Sequence, residues 1–129
     1  MKLLLLYIFS IILTFGLYGQ EADQNKLNDD FFRYIEESNS IAYGYIEPAI
    51  EAIRIKFIDK GLDINTKDKD ENTLLHIAAM NNNLNLFYVA IAFNPSPLIR
   101  NKENMTPKQE TVKYIKEHGE DNISSEIYN

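Results

Sequence analysis

Apolar residues recur every three or four positions along most of the chain, and this spacing predicts an all-α protein. Short polar stretches rich in glycine, asparagine and proline separate the apolar segments, and these residue types end helices. The pattern predicts helices over residues 25–37, 46–60, 73–80, 84–93 and 106–118, with at most a short last helix within 121–129. Residues 1–20 differ from the rest because they are almost uniformly apolar.

The polar stretches mark where the predicted helices end. Residues 62–72 are charged and rich in turn formers, and they follow Gly61, which suits the left-handed conformation at a helix end. After the fourth predicted helix comes Asn94, followed by Pro95 and Pro97, which cannot continue a helix. Both stretches are therefore predicted to be exposed turns.

These signals repeat along the chain with a fixed spacing. Thr73 and Thr106 lie 106 − 73 = 33 residues apart, and each begins a predicted helix. In the same register, residues 68–71 align with residues 101–104. Gly61 aligns with Asn94, and asparagine is the next-best residue after glycine for a left-handed backbone. Two copies in register predict a repeat architecture.

The best-formed copy carries a recognisable motif. Residues 73–79 read Thr-Leu-Leu-His-Ile-Ala-Ala, and residues 61–65 read Gly-Leu-Asp-Ile-Asn. Together they resemble the ankyrin repeat, whose units of about 33 residues contain a T-P-L-H-x-A helix start. The structural motif positions carried by the resemblance are Gly61, Asp63, Asn65, Thr73, Leu75, His76, Ala78, Ala79, Thr106 and Pro107.

The resemblance implies a short ankyrin-like solenoid of about three helix-turn-helix units, each joined to the next by a projecting β-turn finger. The units cover residues 25–61, 62–94 and 95–129. In the last unit Lys108 and Gln109 replace the leucine and histidine of the motif. This departure implies a capping unit with a more polar outer face, as the end of a solenoid requires.

The N-terminal segment is predicted to be a secretory signal peptide. Lys2 is followed by an apolar run and then by the small residues Gly19 and Ala22, with no further charge until Glu21. We expect residues 1–19 to be the signal peptide, residues 20–24 a short linker and residues 25–129 the repeat domain. The protein would then be exported, to the periplasm or out of the cell. The alternative is an inner-membrane anchor formed by residues 3–18.

Composition narrows the classes of partner. The chain has no cysteine, so an exported form is held together by packing alone. Without Lys2, 13 − 1 = 12 basic residues remain against 19 acidic ones, a mature charge of 12 − 19 = −7. Nucleic-acid binding requires a basic face, so no nucleic-acid partner is expected.

No residue pattern indicates catalysis or a metal site. His76 has no second histidine or orienting acid at a suitable spacing, and the resemblance implies a structural role for it. Asp68, Asp70 and Asn72 begin like a calcium loop, but the sixth position holds Thr73 where glycine is required. We therefore expect no enzyme activity, no cofactor, no metal and no small-molecule substrate.

The resemblance implies protein–protein recognition through finger tips and the exposed face of the first helix in each unit. The residues at those positions are Lys67, Lys69, Asp70, Asn72, Met80, Asn81, Arg100, Lys102, Glu103 and Met105. The expected partner is an envelope or secreted protein. An alternative is a neutralising or chaperone-like binder of a toxin or enzyme produced alongside it.

Overall fold

The computed structural model describes residues 2–38 and 45–119. Its helices are, in chain order, α1 (Lys2–Glu37), α2 (Ile46–Lys56), α3 (Leu74–Met80), α4 (Leu84–Ile91) and α5 (Pro107–His118). A short 3-10 turn, Ile58–Lys60, follows α2. These two ranges contain no β-strand, and the predicted all-α, repeat-like fold is confirmed. The short last helix predicted within 121–129 lies outside the described residues.

Helix α1 begins much earlier than the sequence pattern predicts. The expected start at Asn25 is wrong, because the helix runs without a break from Lys2 to Glu37. Residues 20–27 hold neither glycine nor proline and include several strong helix formers, so nothing there stops the helix. The division of this part of the chain into signal peptide and linker stays a prediction.

Helix α2 ends sooner than expected. The regular helix stops at Lys56, because Phe57 takes φ −130° and the chain tightens into the 3-10 turn. Gly61 then adopts the left-handed conformation predicted for it, with φ 95°. Helix α4 likewise ends at Ile91, two residues before the predicted end.

The 33-residue spacing appears in the backbone conformation. Asn94 has φ 52°, so it takes the left-handed conformation of Gly61, 33 residues earlier. Glu71 and Asn104, also 33 apart, both have φ 60°. A repeat predicted from residue types is thus also a repeat of backbone geometry.

The turns in the two copies close with the same hydrogen bonds. The Asp68 N–H donates to the Asn72 carbonyl at 2.9 Å, and the Asn101 N–H donates to the Met105 carbonyl at 3.0 Å. We call residues 62–72 the first finger and residues 95–105 the second finger. Each finger is a compact turn that leads directly into the next helix.

Threonine begins the helix after each finger. Thr73 precedes α3, and its N–H donates to the ring Nδ1 of His76 at 3.1 Å. Thr106 precedes α5, and its N–H donates to Gln109 Oε1 at 2.9 Å. A side chain three residues into the helix therefore bonds back to the cap in both units, as in a capping box. Gln109 takes the place of the motif histidine without loss of this bond.

The helices stack in the order that a solenoid requires. Helix α3 packs against α4 and α5, and α4 also packs against α2. The buried apolar core is formed by α1 to α4 and the first finger, and it includes Phe31, Ile53, Leu62, Leu74, Leu75, Ala78, Leu86 and Val89. No helix pair buries its apolar face alone, which is the reason repeat units depend on their neighbours.

Only the C-terminal part of α1 belongs to this core. Phe31 and Ile35 are buried, and the ring of Phe31 meets that of Phe57 with centroids 5.3 Å apart. Tyr34 contacts the same Phe57 ring at 5.6 Å. Every residue of α1 before Leu27 is exposed, so the first half of the helix contributes nothing to the packing.

Two isoleucines on α2 test this packing. Ile53 is fully buried, whereas Ile55, two positions on, is 56% exposed. We expect Ile53→Ala to lower the free energy of unfolding by about 2–4 kcal/mol because it leaves a cavity. Ile55→Ala should change it by less than about 0.5 kcal/mol. Urea denaturation followed by circular dichroism measures both, and equal effects would contradict the assigned core.

Candidate partner-binding face

The two fingers are joined by hydrogen bonds between equivalent positions. Lys67 Nζ donates to the carbonyl of Arg100 at 3.4 Å, and Lys102 Nζ donates to the carbonyl of Lys69 at 2.8 Å. In each pair the residues lie 33 apart in sequence. The Lys102 N–H also donates to the carbonyl of Asp70 at 3.1 Å. The fingers therefore form an ordered row.

A buried polar cluster lies beneath this row. The side-chain amide of Asn101 donates to Asn72 Oδ1 at 2.9 Å and to Glu110 Oε1 at 2.7 Å, while its own oxygen accepts from the Met105 N–H at 3.0 Å. Asn72, Asn101 and Glu110 are all less than a tenth exposed. One asparagine thus links the first finger, the second finger and α5.

Two of the predicted contact residues, Asn72 and Met105, form hydrogen bonds within this cluster. Asn72 was expected to be an exposed finger residue, which is wrong: its side chain is buried and bonds to Asn101. Met105 is half-buried, and its carbonyl accepts from the Asn101 N–H. Their position at the base of the fingers places both beneath the tips that the resemblance implied.

His76 connects α3 to the second finger. It is fully buried, and its Nε2 lies 2.8 Å from the carbonyl of Met105. A carbonyl oxygen can only accept, so Nε2 carries the hydrogen and donates it. Nδ1 accepts from the Thr73 N–H, so both ring nitrogens are used within the fold.

The remaining predicted contact residues on the second finger are exposed but engaged within the fold. Arg100 Nη1 donates to the carbonyl of Asn104 at 2.7 Å and to Gln109 at 3.2 Å. Glu103 accepts a hydrogen bond from Lys113 at 3.1 Å, and this bond raises the pKa of the Lys113 ammonium. These side chains fix the finger against α5.

On the first finger and α3, fewer of the predicted contact side chains form bonds within the described part of the fold. Among the residues that the structure describes, the side chains of Lys69 and Asp70 form no hydrogen bond or ion pair, and both are exposed. Met80 is 40% exposed at the end of α3. Asn81, beside it, is exposed and donates from its amide to the carbonyl of Ile77 at 2.8 Å.

A groove of 630 Å³ opens between α1, the first finger and α3. Phe32 and Ile35 of α1 face Ile77 and Met80 of α3 across it and form its apolar lining. Its charged lining consists of Asp29, Arg33, Glu36, Asp68, Lys69 and Asp70. Five of the predicted contact residues line this groove, namely Lys69, Asp70, Asn72, Met80 and Asn81, whereas the other five do not.

The sequence analysis did not predict that α1 lines one side of this groove. Asp29, Phe32, Arg33 and Glu36 lie at positions i, i+3, i+4 and i+7, which form one stripe of a helix. That spacing was the available signal. It went unused because the 33-residue register does not extend back into α1, so no motif position maps onto these residues.

Charges on α1 next to the groove are partly paired. Asp30 binds both Lys26 and Arg33 along the helix surface. The hydrogen bond from Lys26 is the main reason that the pKa of Asp30 lies below its ordinary value. Arg33 is therefore drawn along the helix toward Asp30, whereas Asp29 and Glu36 have no ion pair among the described residues.

The acidic turn of the first finger has a structural explanation. Asp68 Oδ1 accepts from the N–H groups of Asp70 at 2.9 Å and Asn72 at 2.8 Å. The carboxylate thus caps its own turn, as aspartate commonly does. No group of three or more histidine or acidic side chains suited to a metal ion occurs within residues 2–38 and 45–119.

A family comparison agrees with the repeat seen in the backbone geometry. Residues 43–91 match the family model described as ankyrin repeats (many copies). Residues 43–91 are therefore similar to ankyrin repeats. The match covers α2, the first finger, α3 and α4, and the 33-residue geometry continues beyond it through the second finger to α5. Comparisons with curated proteins and with solved structures found no match.

The similarity to ankyrin repeats bears on function at a general level. Ankyrin repeats are protein–protein interaction modules in general, and they are generally non-catalytic. In this chain the candidate binding geometry consists of the row of fingers, the groove beside it and the buried cluster beneath the fingers.

The cluster is testable through Asn101. We expect Asn101→Ala to lower the free energy of unfolding by about 2–4 kcal/mol, because it leaves buried partners on Asn72 and Glu110 and a half-buried N–H on Met105 unsatisfied. Asn25→Ala, at an exposed position of α1, should change it by less than about 0.5 kcal/mol. Thermal and urea unfolding measure both variants. A loss below about 1 kcal/mol for Asn101→Ala would show that the cluster contributes little.

Proposed function

We propose that this chain is an exported ankyrin-repeat protein that binds another exported or envelope protein through the groove between α1, the first finger and α3. The proposal rests on one observation: this groove brings together apolar side chains and charged side chains that form no ion pair among the described residues. Lys69, Asp70 and Met80 are exposed there, and within the described part of the chain the side chains of Lys69 and Asp70 form no hydrogen bond or ion pair. The other charged side chains of the two fingers each form a hydrogen bond or ion pair within the fold.

The geometry suits recognition of a protein. The apolar lining provides the area that a contact needs, and the charged rim provides specificity, as in the core and rim of a protein interface. Methionine at the edge of such a surface adapts to irregular partners. The acidic balance of the chain supports a protein partner over nucleic acid.

Export is supported by the N-terminal segment. Helix α1 contains an apolar window with mean hydropathy 1.9 that is not buried in the fold and is long enough to cross a membrane. Cleavage after Gly19 or Ala22 would remove exposed residues only, since packing begins at Leu27. The repeat domain is therefore compatible with removal of the segment.

Photocrosslinking in the native organism tests the binding face. A photoreactive amino acid at position 70 or 81, in the groove lining, should give an adduct of the same size with one envelope or secreted protein. The same residue at Asp59, which is exposed on the 3-10 turn outside the groove, is the control and should give none. Adducts at position 59 alone, or at none of the three positions, would contradict the proposed face.

The intact mass of the protein isolated from its native organism tests export. We expect a form that lacks residues 1–19, found outside the cytoplasm, because a signal peptide is removed during secretion. An intact chain recovered in the membrane fraction would favour the anchor formed by residues 3–18. An intact chain recovered from the cytoplasm would contradict export.

A further inference from the structure

The groove differs from a neutral apolar cleft in its charge. Three of its carboxylates, those of Asp29, Glu36 and Asp70, form no ion pair or hydrogen bond among the described residues. Of the cations that line it, Arg33 binds Asp30, which leaves Lys69 as the unpaired cation of the lining. The unpaired groups of the groove therefore sum to two negative charges.

The carboxylates flank the apolar lining on two sides. On α1, Asp29 lies about one turn before Phe32 and Glu36 about one turn after it, while Asp70 lies on the first finger. A segment that fills the groove must remove water from some of these carboxylates. Desolvation of an ionised carboxylate is costly unless a cation or hydrogen-bond donor replaces the water.

From this arrangement we infer, on the basis of the proposed function, that the partner inserts a segment carrying a lysine or arginine next to a large apolar side chain. The apolar side chain would lie against Phe32, Ile77 and Met80, and the cation would lie between the α1 carboxylates and Asp70. An acidic segment would meet like charges, and a wholly apolar one would leave the carboxylates without partners.

The size of the groove sets the scale of the contact. Its volume of 630 Å³ lies within the range of about 300–1,000 Å³ typical of concave binding sites. This volume holds a few side chains of one short segment and not a broad surface. The groove therefore acts as the anchor point of the interaction, where a few residues carry most of the binding energy.

A random 12-residue peptide display library, selected against the full-length chain in detergent micelles, provides the probe. We expect the enriched peptides to share a lysine or arginine within two positions of leucine, isoleucine, methionine, phenylalanine or tryptophan. The binding of a synthetic consensus peptide should weaken as salt rises, because its charge contacts are partly exposed. Enrichment of acidic or uncharged peptides, or no enrichment at all, would overturn the inference.

Two adjacent glutamates give a matched control. Glu36 lines the groove and Glu37 does not, although both are exposed at the end of α1 and their replacement by lysine changes net charge equally. Glu36→Lys should weaken the consensus peptide by about tenfold, since one close attraction becomes a repulsion. Glu37→Lys should change its affinity by less than about twofold. Equal effects would show that the peptide responds to overall charge and would overturn the inference.

Peptide binding and crosslinking together distinguish a failure of this inference from a failure of the proposed function. If Glu36→Lys leaves peptide binding unchanged while crosslinks at positions 70 and 81 persist, the groove binds a protein of different chemistry. If those crosslinks are also absent, the proposed face itself is wrong. Unchanged melting temperatures of both lysine variants confirm that affinity, and not folding, is being compared.

Discussion

The stacking of α3 between its neighbours is the constraint on which the rest of the structure depends. Helix α3 has only seven residues, and an isolated helix of that length is unstable in water. It persists because α4 and α5 cover it and because His76 bonds to the carbonyl of Met105 in the next unit. The fingers on either side are held through the same contacts. The candidate binding side chains can be exposed here because the buried contacts that hold the fingers lie beneath them.

Polar groups in the core give this stacking its register. Apolar contacts alone would tolerate small shifts of one unit over the next, whereas the bonds of Asn101 to Asn72 and Glu110 require one arrangement. The lysine bonds between the fingers, at a separation of 33 residues, reinforce the same register at the surface. The geometry of the groove follows from it, since the first finger and α3 form two of the groove's sides.

The repeat and its boundaries could be predicted from particular residues. Gly61 and Asn94 mark the left-handed helix ends, and Thr73 and Thr106 mark the helix starts, because each of these positions has a local chemical requirement. The burial of Asn72 could not be predicted in this way. It depends on Asn101, which is distant in sequence and has the same residue type as many exposed turn residues.

The repeat pattern could not predict that α1 lines the groove, and the reason is different. Its stripe of Asp29, Phe32 and Glu36 is outside the 33-residue register, so the motif assigns it no function. The helix also has two distinct parts. Its apolar N-terminal part is exposed, whereas its C-terminal part packs into the core through Phe31. Five of the twelve residues that line the groove therefore come from a helix outside the family match.

Native-state hydrogen exchange of individual amides tests the stacking most directly. The Lys102 N–H bonds to Asp70 across the two units, and the Ile77 N–H bonds to Thr73 within α3. If the units stack as one cooperative structure, both amides should exchange with the free energy of global unfolding. Exchange of the Lys102 amide at a free energy several kcal/mol lower, with Ile77 still protected, would show that the second finger opens independently and would contradict this account.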